Sequence, residues 1–279
     1  MAELLRTKRI TRAIGAEVHN VGVEGANLRD SATIDQLHAA LMEHQVLVMR
    51  DAHLAPAAMA ALGRSLGELG ARHHSYTTHP DCDDVVVLDW HGDMLPDAAE
   101  WHADMTYKPV GPFASILQAV IVPPTGGDTL WANLYAVHDA LDPGLRADLE
   151  KLEAVHDMGA FRTPAYRSGG NAGIDEAIVA AGSAVHPVIA HHPVTGRPYL
   201  NVSESFTRFV IGVSAPDSAR MLTMLFDLIN RPEFHMRLRW EPGTLTIWDN
   251  RATQHYAVAD YLPDRRVMHR VAVATDARA

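Results

Sequence analysis

The sequence predicts a β-rich α+β protein, a sandwich or jelly roll with flanking helices. Three observations predict it. Short runs of β-branched and aromatic residues separated by Pro and Gly turns dominate the chain from residue 184 onward. Helical periodicity is confined to a few segments. No linker, charge block or repeat divides the 279 residues, so one domain over 1–279 is expected.

Taken in order, residues 34–42 (IDQLHAALM) place apolar side chains at helical spacing, and 45–49 (QVLVM) follow as a short buried strand. A second helix fits 57–66 and stops at Gly67. Residues 84–90 (DVVVLDW) are β-branched and predict a strand, followed by the turn-prone HGDMLPDAAE. Residues 113–122 predict a strand closed by Pro123-Pro124, and after the Gly126-Gly127 turn 128–131 resume extended structure. Helices are expected over 134–141 and 145–154. The small-residue stretch 163–183 has weak periodicity and predicts an active-site lid. Strands are then expected over 186–192, 198–203, 234–240, 244–249 and 266–275, interrupted by a helix over 218–230.

Bulk properties exclude several functions. The formal charge is -10 and the cations are scattered, which argues against a nucleic-acid partner. No run of 18 apolar residues and no signal-like start occur, so no membrane partner and a cytoplasmic location are expected. Cys82 is the single cysteine, which excludes an intrachain disulfide and suits a reducing compartment, with Cys82 itself a structural or surface thiol.

Seventeen histidines make any one of them weak evidence, so the pattern decides. Trp101-His102-Ala103-Asp104 sets an imidazole and a carboxylate two residues apart, and on an extended segment such side chains share a face. With a distant histidine they would form a 2-His-1-carboxylate triad, which leaves open positions on the metal. Downstream, 246–256 (TIWDNRATQHY) supplies His255, and Arg266 and Arg270 follow four residues apart. A guanidinium is a planar fork of donors suited to oxyanions, so two of them can serve two anions. If they lie on a strand, Arg266, Met268 and Arg270 share its inward face.

Together WHADMTY, GGDTLWAN and WDNRATQHYAVADYLPDRRVMHR, with the helix-strand opening and LGELG, closely resemble the taurine/2-oxoglutarate dioxygenase family over nearly the whole chain. The resemblance implies a double-stranded β-helix (jelly roll) core with flanking helices. It also implies an Fe(II) enzyme that uses 2-oxoglutarate as co-substrate and O2 as oxidant. His102, Asp104 and His255 match its iron ligands. Thr129 matches the hydroxyl on the distal carboxylate of 2-oxoglutarate, Arg266 the guanidinium pairing with that carboxylate, and Arg270 the guanidinium facing the substrate anion. His73 matches a sulfonate-contacting histidine, Tyr76 and Asp97 pocket-lining positions, Phe206 an aromatic wall and Phe161 a looser aromatic match. Core packing is the alternative for both phenylalanines, and equally for Trp101 and Trp248 as walls around the metal.

The expected substrate is a small organic anion, taurine or a related alkanesulfonate first, whose hydroxylation beside sulfur releases sulfite and an aldehyde with succinate and CO2. An alkyl sulfate ester or a phenoxyalkanoate is the alternative for the same chemistry. Ala98 stands where the taurine-specific pattern has an asparagine, which removes a hydrogen bond worth about 0.5–1.5 kcal/mol. A homo-oligomer, dimer or tetramer, is what the family implies. Two other classes compete: a zinc hydrolase using the same ligands, and a non-catalytic jelly-roll binding module. Neither gives Thr129, Arg266 and Arg270 a shared purpose.

Overall fold

The computed structural model describes residues 5–19, 30–70, 76–93, 96, 99–158 and 181–279. Its first core is a sheet of eight strands. In chain order these are β1 (Arg6–Arg9), β2 (Ala16–His19), β3 (Val46–Met49), β4 (Thr78–His79), β5 (Cys82–Trp90), β6 (Ala114–Ile121), β14 (Leu245–Asp249) and β16 (Arg266–Val273). Side by side they run β1-β2-β3-β14-β6-β16-β5-β4, so chain ends far apart in sequence meet at the centre.

The central strands are apolar on both faces because both faces are covered. Leu47 and Met49 of β3, with Leu245 and Ile247 of β14, pack in one cluster with Leu37 and Leu41 of helix α1 (Ser31–His44) and Met59 and Leu62 of α2 (Pro56–Leu66). Their alternates Val46, Val48 and Trp248 point the other way, into a cluster with Trp131, Met236 and Leu238. Those partners belong to a second, three-stranded sheet, β13-β7-β15, made of β7 (Thr129–Asn133), β13 (His235–Leu238) and β15 (Thr253–Ala257). Two sheets face to face with helices outside one of them form the predicted jelly roll with flanking helices.

Each helix has a local reason to begin. Asp30 caps α1 by accepting from the Thr33 N–H, and Pro56 opens α2 where its missing N–H costs nothing. α2 stops at Gly67 because the chain passes against Thr275, where a Cβ would sit 1.8 Å from the Thr275 carbonyl oxygen. Further along, α3 (Leu134–Asp139) and α4 (Pro143–Leu149) lead into a small sheet, β12-β8-β9, of β8 (Glu153–Asp157), β9 (Ser183–Pro187) and β12 (Thr207–Val210). The hairpin β10 (Ile189–His191) and β11 (Pro198–Leu200) and the helix α5 (Ala215–Ile229) complete the described chain.

Several expectations shift. The helix predicted over 145–154 ends at Leu149, and Glu153 and Ala154 already belong to β8, which is paired on both sides by β12 and β9. The strand predicted over 186–192 breaks at Val188, whose N–H turns to the Leu152 carbonyl, so β9 and β10 lie in different sheets. Of the predicted lid 163–183, residues 163–180 lie outside the described residues, while Ser183 is already in β9 opposite Asp157. Among the described residues no helix is long and apolar enough to cross a membrane.

Candidate active site

His102 and His255 meet across an isolated β-bridge. The N–H of each donates to the other's carbonyl, at 3.1 and 2.8 Å, in an isolated antiparallel bridge. Directly opposed residues project to the same side, and the two imidazoles lie with centroids 4.1 Å apart. His255 comes from β15, which β7 pairs in register from Thr253↔Asn133 to Ala257↔Thr129. Asp104 is not on an extended strand as expected. It opens a turn whose next residue, Met105, has φ 56, yet its carboxylate still converges with the rings.

The three side chains offer ligand atoms all within 4.8 Å of one another, the one such group among the described residues. Asp104 Oδ1 lies 3.9 Å from His102 Nε2 and 3.8 Å from His255 Nε2. The second oxygen, Oδ2, is already engaged: Ser115 Oγ donates to it at 2.9 Å and Arg270 Nη2 at 2.5 Å. His102 Nδ1 donates to the Glu100 carbonyl at 2.8 Å, which leaves the lone pair on Nε2 facing the carboxylate.

The electrostatics suit a cation. Burial works to raise the Asp104 pKa, but Arg270, His255, His102 and the Ser115 hydroxyl hold it well below the usual carboxylate range. Burial, then His102, pushes His255 well below its usual value, so the ring stays neutral as a metal ligand must. One carboxylate and two imidazoles on one side of a buried space are the donor set that non-haem Fe(II) takes.

Asp104 is held by its backbone as well. Asn250 accepts from the Asp104 N–H at 2.7 Å and donates to the Asp104 and Pro112 carbonyls at 3.1 and 3.2 Å. The next turn is tied to the small sheet: His156 Nδ1 lies 3.0 Å from Thr106 Oγ1, and His186 Nε2 donates to the Thr106 and Lys108 carbonyls at 2.7 and 3.1 Å.

A second polar site lies at the end of β16. Arg266, 5% exposed, donates through Nε to the Gly127 carbonyl at 3.0 Å and through Nη2 to Thr129 Oγ1 at 3.3 Å. The Gly126-Gly127 turn, with φ of 77° and 71°, brings that carbonyl in, and a Cβ on Gly126 would strike Asp260 at 2.5 Å. Burial lowers the Arg266 pKa, and among the described residues it has no ion pair. A buried guanidinium bonded only to neutral oxygens is the complement of an anion.

Of the expected pocket residues, Phe206 reaches the site: it is 5% exposed, with its ring 6.2 Å from His102 and 5.4 Å from Tyr107. Tyr76 is half-buried ahead of β4. His73, Asp97 and Phe161 lie outside the described residues, as does Ala98. Arg270 lies on Asp104, its Nε buried with no hydrogen-bond partner among the described residues. Trp101 and Trp248 are buried, and the Trp248 ring packs at a tilt against His255, centroids 5.0 Å apart. Sequence reasoning missed Ser115, Asn250, Tyr107, His156 and Trp240. Tyr107 and Asn250 sit inside the quoted motifs, whereas nothing local marks Ser115, His156 or Trp240.

The model of the taurine catabolism dioxygenase TauD, TfdA family matches residues 6–272. An alkylsulfatase of Acinetobacter baylyi is 34% identical over 97% of this chain and 85% of its own. An alpha-ketoglutarate-dependent sulfate ester dioxygenase of Pseudomonas putida is 35% identical over 94% and 86%. A taurine dioxygenase from Burkholderia xenovorans superposes with TM-score 0.82 at 31% identity, covering 98% of this chain and 90% of that one. A chain matched across residues 6–272 belongs to the TauD, TfdA family and is an alpha-ketoglutarate (2-oxoglutarate)-dependent dioxygenase.

Proposed function

We propose that His102, Asp104 and His255 hold Fe(II), that Thr129 and Arg266 receive the distal carboxylate of 2-oxoglutarate, and that the enzyme hydroxylates a small alkyl sulfate ester at the carbon bearing the ester oxygen. The observation that carries the reading is Arg266, a buried cation with no ion pair among the described residues, next to a hydroxyl. Neither a zinc hydrolase nor a binding module gives it a function.

The metal and co-substrate together supply the oxidising chemistry: O2 is consumed, 2-oxoglutarate becomes succinate and CO2, and a substrate C–H becomes C–OH. The residues do the rest. His102 would bind through Nε2 and Asp104 through Oδ1, because the His102 Nδ1 and the Asp104 Oδ2 are already bonded, and His255 would offer Nε2, which lies 3.8 Å from Asp104 Oδ1. Phe206, backed by Tyr107, sets an apolar ring beside His102, which favours an alkyl chain and excludes water. Arg270 retains a buried Nε–H that a substrate oxyanion would satisfy.

Sulfate esters lead because the relatives at 34 and 35% identity bear sulfate-ester names, whereas a sulfonate dioxygenase of Saccharomyces cerevisiae is 29% identical and the chain spans 63% of it. Taurine, expected first from the sequence, comes second: Ala98 lacks the amide of the taurine-specific pattern. The reading takes 1–279 as one catalytic domain acting in the cytoplasm.

The test is anaerobic assembly with Fe(II) and 2-oxoglutarate, followed by O2-dependent succinate release across alkyl sulfates, alkanesulfonates including taurine, and phenoxyacetates. A hydroxylated sulfate ester collapses to aldehyde and sulfate, and a hydroxylated sulfonate to aldehyde and sulfite, so the released anion distinguishes the two. A charge-transfer band with succinate and sulfate is expected. Succinate with sulfite would move the substrate to sulfonates, and no band with no succinate would sink the proposal.

A further inference from the structure

We infer that Trp240 is a positioning residue of the co-substrate site, whose indole N–H fixes the Thr129 hydroxyl as a donor toward the bound carboxylate. The inference rests on the reading of Thr129 and Arg266 as the carboxylate's receptors and deepens it.

Trp240 lies just past β13 and is 3% exposed. Its Nε1–H donates to Thr129 Oγ1 at 3.0 Å. An indole nitrogen has no acceptor capacity, so the hydroxyl must accept. Arg266 Nη2, also donor only, lies 3.3 Å from the same oxygen. A hydroxyl oxygen has two lone pairs and one proton. Both lone pairs are taken by these two N–H groups, so the remaining proton points away from both, and among the described residues no acceptor receives it. Without Trp240 the hydroxyl could turn and accept as readily as donate. With Trp240 in place it can only donate, which is the polarity a carboxylate needs.

The ring touches the second receptor too. Arg266 Cζ lies 5.8 Å from the Trp240 centroid, close enough for a cation–π contribution, and Trp131 packs on Trp240 at 6.3 Å. One side chain therefore steadies both carboxylate donors. It does so from outside the GGDTLWAN and WDNR motifs, which is why nothing in the sequence singles it out.

Trp240→Phe keeps an aromatic ring and deletes the N–H. The experiment titrates the Fe(II)-loaded protein anaerobically with 2-oxoglutarate and with 2-oxovalerate, which has the same metal-chelating end but no distal carboxylate. Trp240→Phe is expected to raise the Kd for 2-oxoglutarate about three- to tenfold, the size of one neutral hydrogen bond, and to leave 2-oxovalerate unchanged. In a Thr129→Val background Trp240→Phe is expected to have no further effect. Equal weakening of both acids, or the same loss in the Thr129→Val background, would show a packing role and overturn the inference. If Thr129→Val and Arg266→Met bind 2-oxoglutarate as the parent does, the co-substrate reading itself fails, a different outcome. Should Trp240→Phe not fold, 3-benzothienylalanine at position 240 replaces the N–H by sulfur at nearly constant shape and gives the same comparison.

Discussion

Arg270 lies on Asp104, its Nη2 donating to Oδ2 at 2.5 Å, while its own Nε is buried without a hydrogen-bond partner among the described residues. The guanidinium therefore has one end on a candidate metal ligand and one end unsatisfied. A substrate oxyanion docking at Nε would be tied through one planar group to the carboxylate beside the metal, which places the reacting carbon by electrostatics as well as by shape.

Arg270→Ala is accordingly expected to raise the substrate KM roughly tenfold to a hundredfold, the loss of a charge-assisted hydrogen bond, and to leave the Fe(II)–2-oxoglutarate charge-transfer band in place. Steady-state kinetics with the anaerobic spectrum check it. Loss of the band with substrate KM unchanged would reassign Arg270 to the metal ligand alone.

Arg266 behaves as a buried cation waiting for an anion, so its replacement should separate stability from binding. Removing a buried charge that has no ion pair among the described residues relieves a desolvation cost, so Arg266→Met is expected to leave the melting temperature of the metal-free protein unchanged or higher. The same variant should weaken 2-oxoglutarate binding by about a hundredfold or more. Thermal melts and an anaerobic titration measure the two, and a variant that melts lower while binding normally would assign Arg266 to structure.

These two arginines also show what the sequence reveals and what it hides. Their strand, β16, and the strand β14 were legible because β-branched and apolar residues recur there between Pro and Gly turns. β15, which carries His255, was not: TQHYA has no such signature, and it is a strand because β7 offers it a paired edge. Glu153 and Ala154, the first two residues of β8, continue a helical pattern in the sequence, and their extended form comes from two neighbours that join them from later in the chain. The spacing of His102 and Asp104 predicts side chains sharing the face of a strand, and the two do converge, but through a turn. Ser115, Trp240 and His156 act across long sequence separations, and only the closed fold brings them to the site.

Asn250 spends its whole amide on the backbone around Asp104, with one bond accepted and two donated. Asn250→Ala leaves buried N–H and carbonyl groups unpaired and is expected to cost about 2 kcal/mol of stability or more. Because the turn carrying Asp104 then loosens, metal affinity should fall about tenfold to a hundredfold. Calorimetric titration with Co(II), alongside a denaturant melt, tests both. Unchanged affinity in a destabilised variant would confine Asn250 to folding.

His156 makes acid sensitivity predictable in sign. It is 1% exposed, bonded between Thr106 and Thr207, and burial, then His186 and Arg208, pushes its pKa down to about 3. In the unfolded chain it titrates at the ordinary value of 6.5. Between those two values the unfolded state binds a proton that the folded state refuses, so stability is fully present above the unfolded value and is lost as pH falls through that window. At pH 5 the loss from this one residue is about 2 kcal/mol, taking 1.36 kcal/mol per unit below the unfolded value. Urea melts of the metal-free protein at pH 7.5 and pH 5 should show a stability difference at least that large, and His156→Gln, which cannot titrate, should remove about 2 kcal/mol of it while lowering stability at pH 7.5 through weaker bonds to the two threonines. Because Thr106 lies two residues beyond Asp104, the same variant should also weaken Co(II) binding at pH 7.5. An undiminished pH difference in His156→Gln would mean that His156 is protonated in the folded protein.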